Sequence, residues 1–328
     1  MKAISIERIG GPEVLKVVAR LKPKPASNDL LIRVRAIGVN RADCLQRAGT
    51  YPTPPGTRWS DVPGLELAGE VVDVGADVEG FDVGDRVFGL VAESAYAELA
   101  LLDHRLALRI PSAIDFVTAA GIVEVFATAN ETVFELGGLA PGETVLVHAG
   151  ASGVGTAAIQ MAKSMDCTVY ATAGSQMKAE RILDLGADLA IPYKTRDFVE
   201  ETLRASSGQG VDLVEDFVGA DYLARNLAVL KPLGRLVLVG LMGKPTCRFD
   251  PAIMLRKRLT IRGFTLRAQS IPEKQAIVKR LAERWLPLIT SGRIGPIIHT
   301  TLPLEQASDA HALVESNTIV GKVILTVD

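Results

Sequence analysis

The stretch Glu143-Thr-Val-Leu-Val-His-Ala-Gly-Ala-Ser-Gly-Val-Gly-Thr-Ala-Ala158 decides the fold of this chain. The apolar residues 145–147 predict a buried strand, and a glycine-rich turn at 150–155 follows directly. Residues 156–163 are mostly small and apolar, which predicts a helix. A strand, a tight turn and a helix in this order suit a dinucleotide pyrophosphate, because backbone N–H groups and the positive end of the helix face the anion.

The glycine turn departs from the strict G-x-G-x-x-G pattern, because Ser152 stands where the second glycine is expected. An ordinary buried turn between a strand and a helix is therefore the alternative interpretation. The position of the turn between a strand and a helix favours cofactor binding. We expect the whole turn to contact the pyrophosphate: Gly150, Ala151, Ser152, Gly153, Val154 and Gly155.

The next predicted strand, 167–172, indicates which dinucleotide is bound. An Asp or Glu after this strand would accept hydrogen bonds from the adenosine ribose of NAD, and none is present. Gly174 leaves room there, Ser175 offers a hydroxyl, and Lys178 offers a cation for a 2′-phosphate. These residues predict NADPH, with a solvated lysine on the first turn of a helix as the alternative for Lys178.

Composition narrows the class of protein. The 328 residues favour two domains, and the net charge of −2 gives no reason to expect nucleic acid or an anionic membrane as a partner. No apolar run is long enough to cross a bilayer, and the first residues do not resemble a signal peptide. The three cysteines and four histidines are dispersed, which predicts a cytoplasmic protein without disulfides or a metal site.

Two regions differ in their patterns. Residues 1–120 carry short apolar or alternating runs separated by turn residues, which predicts a β-rich domain that the tail 290–328 completes. Residues 50–56 are rich in proline and glycine and predict a stiff loop. From 121 to 289 strands and helices alternate, which predicts a doubly wound parallel sheet and an α/β fold overall.

Several stretches of this chain together resemble a known family: Asn40-Arg-Ala-Asp43, Pro63-Gly-Leu-Glu66, Val83-Gly-Asp-Arg86, His148 to Gly155 and Gly240-Leu-Met-Gly243. They are similar to the zinc-independent, zeta-crystallin-like quinone oxidoreductases of the medium-chain dehydrogenase/reductase superfamily, over essentially the whole chain. The resemblance implies a GroES-like domain, a Rossmann domain, and an active site in the cleft between them. It also implies self-association, as a homodimer or homotetramer.

The resemblance further implies that the catalytic zinc of related dehydrogenases is missing, because Asn40 and Leu65 stand at the positions of its Cys and His ligands. Without a metal to stabilise an alkoxide, simple alcohols are poor substrates. Quinones and enones need less help, because hydride addition gives a delocalised anion. We therefore expect an NADPH-dependent quinone reductase. The alternatives are a reductase of α,β-unsaturated carbonyls and a cofactor-binding protein without turnover.

Four residues are candidates for contact with the acceptor, each with an alternative. Tyr51 offers a ring for stacking and a hydroxyl, or it merely covers a loop. Asn40 offers an amide hydrogen bond. Asp43 belongs to the same segment as Asn40, which replaces the metal site. Alternatively, Asp43 is structural and pairs with Arg41 or Arg47 or caps a turn. Ser152 touches the pyrophosphate or the acceptor, or it is an ordinary turn serine.

Other residues enter through the resemblance as cofactor contacts. It implies Thr128 near the nicotinamide, Tyr193 beside the adenosine phosphate, and the nicotinamide ribose along Leu241, Met242, Gly243, Phe264 and Leu266. Relatives often have proline where this chain has Val123, next to Glu124, which affects the backbone leading to Thr128. Arg267 either contacts the cofactor phosphates or lies on the surface, and His148 is expected to be a buried core histidine.

Overall fold

The computed structural model describes residues 1–51, 59–243, 246 and 248–328. These residues form two compact units, the first comprising Met1–Ala127 with Leu266–Asp328, and the second Thr128–Thr265. Most of the proline-rich stretch 50–56 lies outside the described residues.

The strands fall into three sheets, two in the first unit and one in the second. In chain order they are β1 (Lys2–Ile6), β2 (Leu15–Ala19), β3 (Asp29–Val39), β4 (Glu66–Val74), β5 (Arg86–Leu90), β6 (Leu99–Asp103), β7 (Ala107–Arg109), β8 (Thr144–Val147), β9 (Thr168–Ala173), β10 (Leu189–Pro192), β11 (Val211–Asp216), β12 (Leu230–Leu238), β13 (Thr260–Gly263), β14 (Ile298–Pro303) and β15 (Lys322–Thr326).

The α-helices of the described residues are α1 (Arg41–Arg47), α2 (Phe116–Ala119), α3 (Val123–Ala129), α4 (Gly153–Ser164), α5 (Gln176–Asp184), α6 (Phe198–Ala205), α7 (Ala220–Val229), α8 (Ala252–Lys257), α9 (Ile271–Arg280), α10 (Leu286–Thr290) and α11 (Ala307–Glu315). The segments Asn130–Glu135 and Leu281–Trp285 are π-helical turns that directly follow α3 and α9. Short 3₁₀ turns occupy Pro12–Val14, His104–Leu106 and Leu304–Gln306.

The first unit is built on a seven-stranded sheet in the order β14-β15-β3-β4-β5-β7, with β6 pairing to β3, while β1 and β2 form a separate pair. Its longest strand, β3, is buried along most of its length, and β15 lies antiparallel to it with Val323 opposite Val39. The tail therefore adds β14 and β15 to the sheet of the first unit.

The second unit contains a six-stranded sheet in the order β10-β9-β8-β11-β12-β13, with every pair parallel. The predicted doubly wound parallel sheet is confirmed. Strand β8 is flanked by β9 on one side and by β11 on the other, so the strand order reverses beside it. In such sheets ligands bind beyond the carboxyl ends of the strands at this reversal.

The first unit takes more of the chain than the sequence suggested. The predicted boundary gave residues 121–289 to the second domain, whereas the structure places 121–127 and 266–289 in the first unit. Helix α9 packs against the turn His104–Leu106 of that unit, and Ile277 and Trp285 are buried. An amphipathic pattern shows that a helix packs against a core, but it does not show which core.

None of the helices in the described ranges combines the length and the apolar character that a membrane span requires.

Candidate functional site

The glycine turn of the second unit is shaped by close packing of backbone against backbone. It follows β8 at the reversal of the strand order and leads into α4. A Cβ on Gly155 would lie 2.7 Å from the Gly150 Cα, and one on Gly150 would lie 2.8 Å from the Ala171 Cβ. Any side chain at either position would push the helix away from the sheet.

Ser152 is the N-cap of α4, and its hydroxyl oxygen accepts a hydrogen bond of 3.0 Å from the Gly155 N–H. Serine is among the preferred residues for this role. Its place in the glycine pattern is thereby explained, in agreement with the turn-serine alternative. The first helical turn, which includes Gly153 and Val154, provides N–H groups that lack partners inside the helix, and Ala151 is buried beneath it.

The segment after β9 brings three of the predicted cofactor residues together. Ser175 caps α5 by accepting a hydrogen bond of 3.3 Å from the Lys178 N–H. A Cβ on Gly174 would lie 3.3 Å from the Tyr193 hydroxyl, so this hydroxyl stands over the glycine. Tyr193 is 43% exposed. Lys178 is only 8% exposed, which does not agree with a freely solvated lysine.

Except for Thr128, the other predicted cofactor residues of the second unit also follow the carboxyl ends of strands of the parallel sheet. Leu241 and Met242 follow β12 and are about half exposed, and the Met242 N–H donates to the Phe217 carbonyl at 3.2 Å. Gly243 donates to the Val218 carbonyl at 2.9 Å, and Phe264 follows β13. Thr128 lies in α3, is 6% exposed, and its carbonyl accepts a hydrogen bond from the Thr132 hydroxyl.

His148 is a fully buried histidine, as expected. One ring nitrogen lies 2.8 Å from the Asn226 Oδ1 and the other lies 3.1 Å from the Thr172 hydroxyl. The Asn226 amide in turn donates to the buried Asp216 at 3.0 Å. Burial lowers the pKa of His148 to about 4, so the ring is neutral at physiological pH.

In the first unit, a lysine ammonium lies between Asn40 and Glu66. The Lys322 ammonium donates to the Asn40 Oδ1 and to the Glu66 Oε1, each at 2.7 Å, and to the Val39 carbonyl at 3.0 Å. The Asn40 amide also donates to the Glu66 Oε1 at 2.9 Å. The side chain of Lys322 is 3% exposed and that of Glu66 is 0% exposed, so the pair is buried.

Asp43 has a structural role. Its carboxylate accepts a hydrogen bond of 2.8 Å from the Asn40 N–H at the start of α1 and another from the Tyr96 hydroxyl at 3.3 Å. The residue is 0% exposed, and burial raises its pKa to about 6. The hypothesis that Asp43 contacts the acceptor is therefore wrong, and the capping alternative holds. Its proposed arginine partners pair elsewhere, Arg41 with Asn317 and Arg47 with Glu315.

A small recess in the first unit combines apolar walls with charged side chains. We call it the Glu124 recess, and its lining residues are Leu65, Leu90, Val91, Glu124, Leu266, Arg267 and Lys274. Its apolar residues are buried. Leu266, predicted as a cofactor contact, is one of them.

Tyr51 adjoins this recess through Arg267. The Arg267 guanidinium lies over the Tyr51 ring, 5.1 Å from its centroid, and 3.6 Å from the Glu93 carboxylate. The Arg267 side chain is 7% exposed, so the alternative of a surface arginine is wrong. Burial, followed by the nearby charge of Glu124, raises the pKa of Tyr51, so its hydroxyl stays protonated.

The sequence did not reveal that Glu124, in this recess, has an unusual pKa. Burial and then the neighbouring charge of Glu66 raise its pKa to about 8. Lys274, on α9, donates to the Arg267 carbonyl at 3.0 Å, and burial lowers its pKa. In the sequence, Glu124 is distinguished only by its neighbour Val123, which replaces a proline, and no local pattern marks Lys274.

Within the described ranges, no group of three or more His, Cys, Asp or Glu side chains is arranged to hold a metal ion. Asn40 and the buried Leu65 occupy the positions that the resemblance assigned to zinc ligands.

Comparison with known proteins is consistent with this architecture. Residues 26–136 match the alcohol dehydrogenase GroES-like domain, and residues 153–283 match the zinc-binding dehydrogenase family. The rat (Rattus norvegicus) quinone oxidoreductase is 32% identical over 99% of this chain and 97% of its own length.

Solved structures agree. The Escherichia coli quinone oxidoreductase complexed with NADPH is 30% identical, with a TM-score of 0.90 over 99% of this chain and 100% of that one. The CurK enoyl reductase is 27% identical, with a TM-score of 0.89 over 100% of this chain and 99% of that one. The chain, with its GroES-like and Rossmann domains, therefore belongs to the medium-chain dehydrogenase/reductase superfamily, as a relative of its quinone oxidoreductases.

Proposed function

We propose that this protein is an NADPH-dependent reductase that transfers a hydride to quinones without a metal. The observation that carries the proposal is the glycine turn, which lies at the reversal of the strand order and whose Gly150 and Gly155 let the start of α4 pack closely against the end of the strand. The similarity to proteins named quinone oxidoreductases, one of them complexed with NADPH, supports the same reaction.

The residues of the second unit fit the proposed cofactor. The start of α4 presents N–H groups to a pyrophosphate, with Ser152 still able to donate its hydroxyl proton. After β9, Gly174, Ser175 and the Tyr193 hydroxyl offer space and hydrogen-bond donors to a phosphate on the adenosine ribose, and residues 173–178 include no Asp or Glu. When bound, the reduced nicotinamide supplies the hydride.

The polar group around Asn40 supports chemistry that does not depend on zinc. Asn40 and Leu65 offer no strong metal ligand, and the Lys322 ammonium already neutralises Glu66. A metal-free site has little with which to stabilise the alkoxide of a simple alcohol, whereas a quinone delocalises the charge it gains. The conjugated acceptor is therefore the substrate class that these residues favour.

Tyr51 is the proposed contact for a flat acceptor. Its ring already packs on the Arg267 guanidinium, and a second planar group can stack on an aromatic ring in the same way. We also propose that the protein is cytoplasmic and forms a homodimer or homotetramer. Self-association is supported by β13, the terminal strand of the six-stranded sheet, whose outer edge pairs with no other strand of the described residues and could pair with a copy of itself.

Steady-state assays with a chelator-treated preparation test the proposed function. We expect NADPH to be oxidised with 9,10-phenanthrenequinone, NADH to bind more weakly than NADPH in a titration, and ethanol to give negligible turnover with NADP⁺. Tighter binding of NADH would refute the cofactor assignment. Activity that vanishes with the chelator and returns with zinc would refute the metal-free reaction.

Reduction of α,β-unsaturated carbonyls is the second candidate, favoured by the similarity to an enoyl reductase. Such a reaction needs a proton donor near the enolate carbon, which the Tyr51 hydroxyl can supply. Turnover of a small enal beside the quinone distinguishes the two activities, because a quinone reductase has no need of that proton donor.

A further inference from the structure

The Glu124 recess contains a carboxyl group that the proposed function does not yet use. Glu124 is half-buried and belongs to α3, whose backbone is fixed at this point by a hydrogen bond of 3.0 Å from the Glu124 N–H to the Glu66 Oε2. Among the residues that the structure describes, no group hydrogen-bonds to the Glu124 carboxyl itself. It is therefore free to bind a ligand that enters the recess.

The charges around Glu124 come from several elements. Glu66 and Asp43 disfavour its ionised form, while Lys322 and Lys274 favour it. Burial, which is the largest cause, and these charges together raise the pKa of Glu124 to about 8, so the carboxyl holds its proton at neutral pH. Arg267 and Lys274 line the same recess, and Arg267 joins it to the Tyr51 ring.

We propose that the Glu124 recess receives a carbonyl oxygen of the acceptor and that Glu124 is the catalytic acid that protonates this oxygen. The inference rests on the proposed function for the hydride, which comes from the reduced nicotinamide. The hydride brings the electron pair to the acceptor, and its negative charge develops on the oxygen. The Glu124 O–H bond breaks as the new O–H bond of the hydroquinone forms.

The recess suits both halves of this proton transfer. Before it, the neutral carboxyl is a hydrogen-bond donor among the apolar side chains of Leu65, Leu90 and Val91. After it, the Lys274 ammonium favours the carboxylate that remains. Water then returns the proton. General acids of this kind typically accelerate a reaction about 10²- to 10⁴-fold, most when their pKa lies near the working pH.

The first test compares Glu124→Gln, which keeps the shape and removes the acidic proton, with Glu305→Gln, an exposed control on the same unit. We expect quinone kcat to fall at least tenfold in Glu124→Gln and to stay unchanged in the control. Wild-type kcat should decline as pH rises through about 8, because the acid loses its proton, and this decline should be absent in Glu124→Gln.

A second variant separates catalysis from folding. Lys274→Met removes a charge that favours the Glu124 carboxylate, so the alkaline decline of kcat should move to higher pH. Infrared difference spectra of the cofactor-free protein should show a protonated carboxyl band that titrates near pH 8 and is missing in Glu124→Gln.

Equal quinone kcat and equal pH profiles in wild type and Glu124→Gln would overturn the assignment. It would also be overturned if the alkaline decline of kcat occurred at the same pH in Lys274→Met as in wild type. Failure of the proposed function is a different result. In that case the wild-type protein neither binds NADPH nor reduces a quinone, while the infrared band still titrates.

Discussion

Replacing Lys322 by methionine tests the buried ion pair that stands beside Asn40. The change keeps an unbranched side chain of similar length and removes the ammonium, together with three hydrogen bonds of 2.7 to 3.0 Å. Glu66 keeps two donors, the Asn40 amide and the Glu124 N–H. Its charge, however, is left without a cation in contact, at a side chain that is 0% exposed.

The expected loss follows from this burial. Breaking a buried pair by removing one partner costs about 3–5 kcal/mol, because an uncompensated charge stays in the interior. The double variant Lys322→Met with Glu66→Gln removes both charges and keeps an amide for the neighbouring donors. It should recover most of the loss, since replacing both members of a buried pair is often close to neutral.

Urea unfolding followed by tryptophan fluorescence measures the loss of stability of the first structural unit, because Trp59 and Trp285 both belong to it. The matched control is Lys2→Met, which breaks an exposed pair with Glu305 at the same distance of 2.7 Å and should change stability little. A single variant that loses less than about 1 kcal/mol, or a double variant less stable than the single, would contradict the reasoning, given the typical cost of a broken buried pair.

Three further predictions concern the cofactor, the acceptor and pH. Ser175→Asp keeps an N-cap on α5 but sets a carboxylate beside the proposed 2′-phosphate. At about 5 Å its repulsion of a phosphate that carries two negative charges is about 1.7 kcal/mol in water and larger near protein, so NADPH affinity in a titration should fall tenfold or more. The neutral cap Ser175→Asn should not do this, and equal losses in the two variants would count against the assignment. Tyr51→Phe keeps the ring on Arg267 and should retain the quinone KM, whereas Tyr51→Leu should raise it; a raised KM in both would show that the hydroxyl, not the ring, matters. His148 binds its proton only near pH 4 when folded but near 6.5 when unfolded, so its contribution to stability is full above 6.5 and is lost as pH falls towards 4, by about 3 kcal/mol. His148→Gln should flatten this acid limb in pH-dependent urea unfolding, and an unchanged limb would refute the attribution.

Local sequence determined the sheet and the glycine turn of the second unit, although not the unit's bounds. The run before Gly150, the glycine turn and the alternation that follows predicted the strand, the turn and the parallel sheet, because backbone geometry and period reflect neighbours close along the chain. The same holds for Ser175, whose capping role depends on the helix that begins beside it.

Which charged side chains of the first unit lie next to one another was decided by the tertiary structure alone. Glu66 and Lys322 stand 256 residues apart, and Glu124, Arg267 and Lys274 come from separate segments, yet each set meets in one place. Burial and the neighbouring charges raise the pKa of Glu124. Desolvation and pairing depend on which distant side chains surround a group, and the order of residues along the chain does not contain that information.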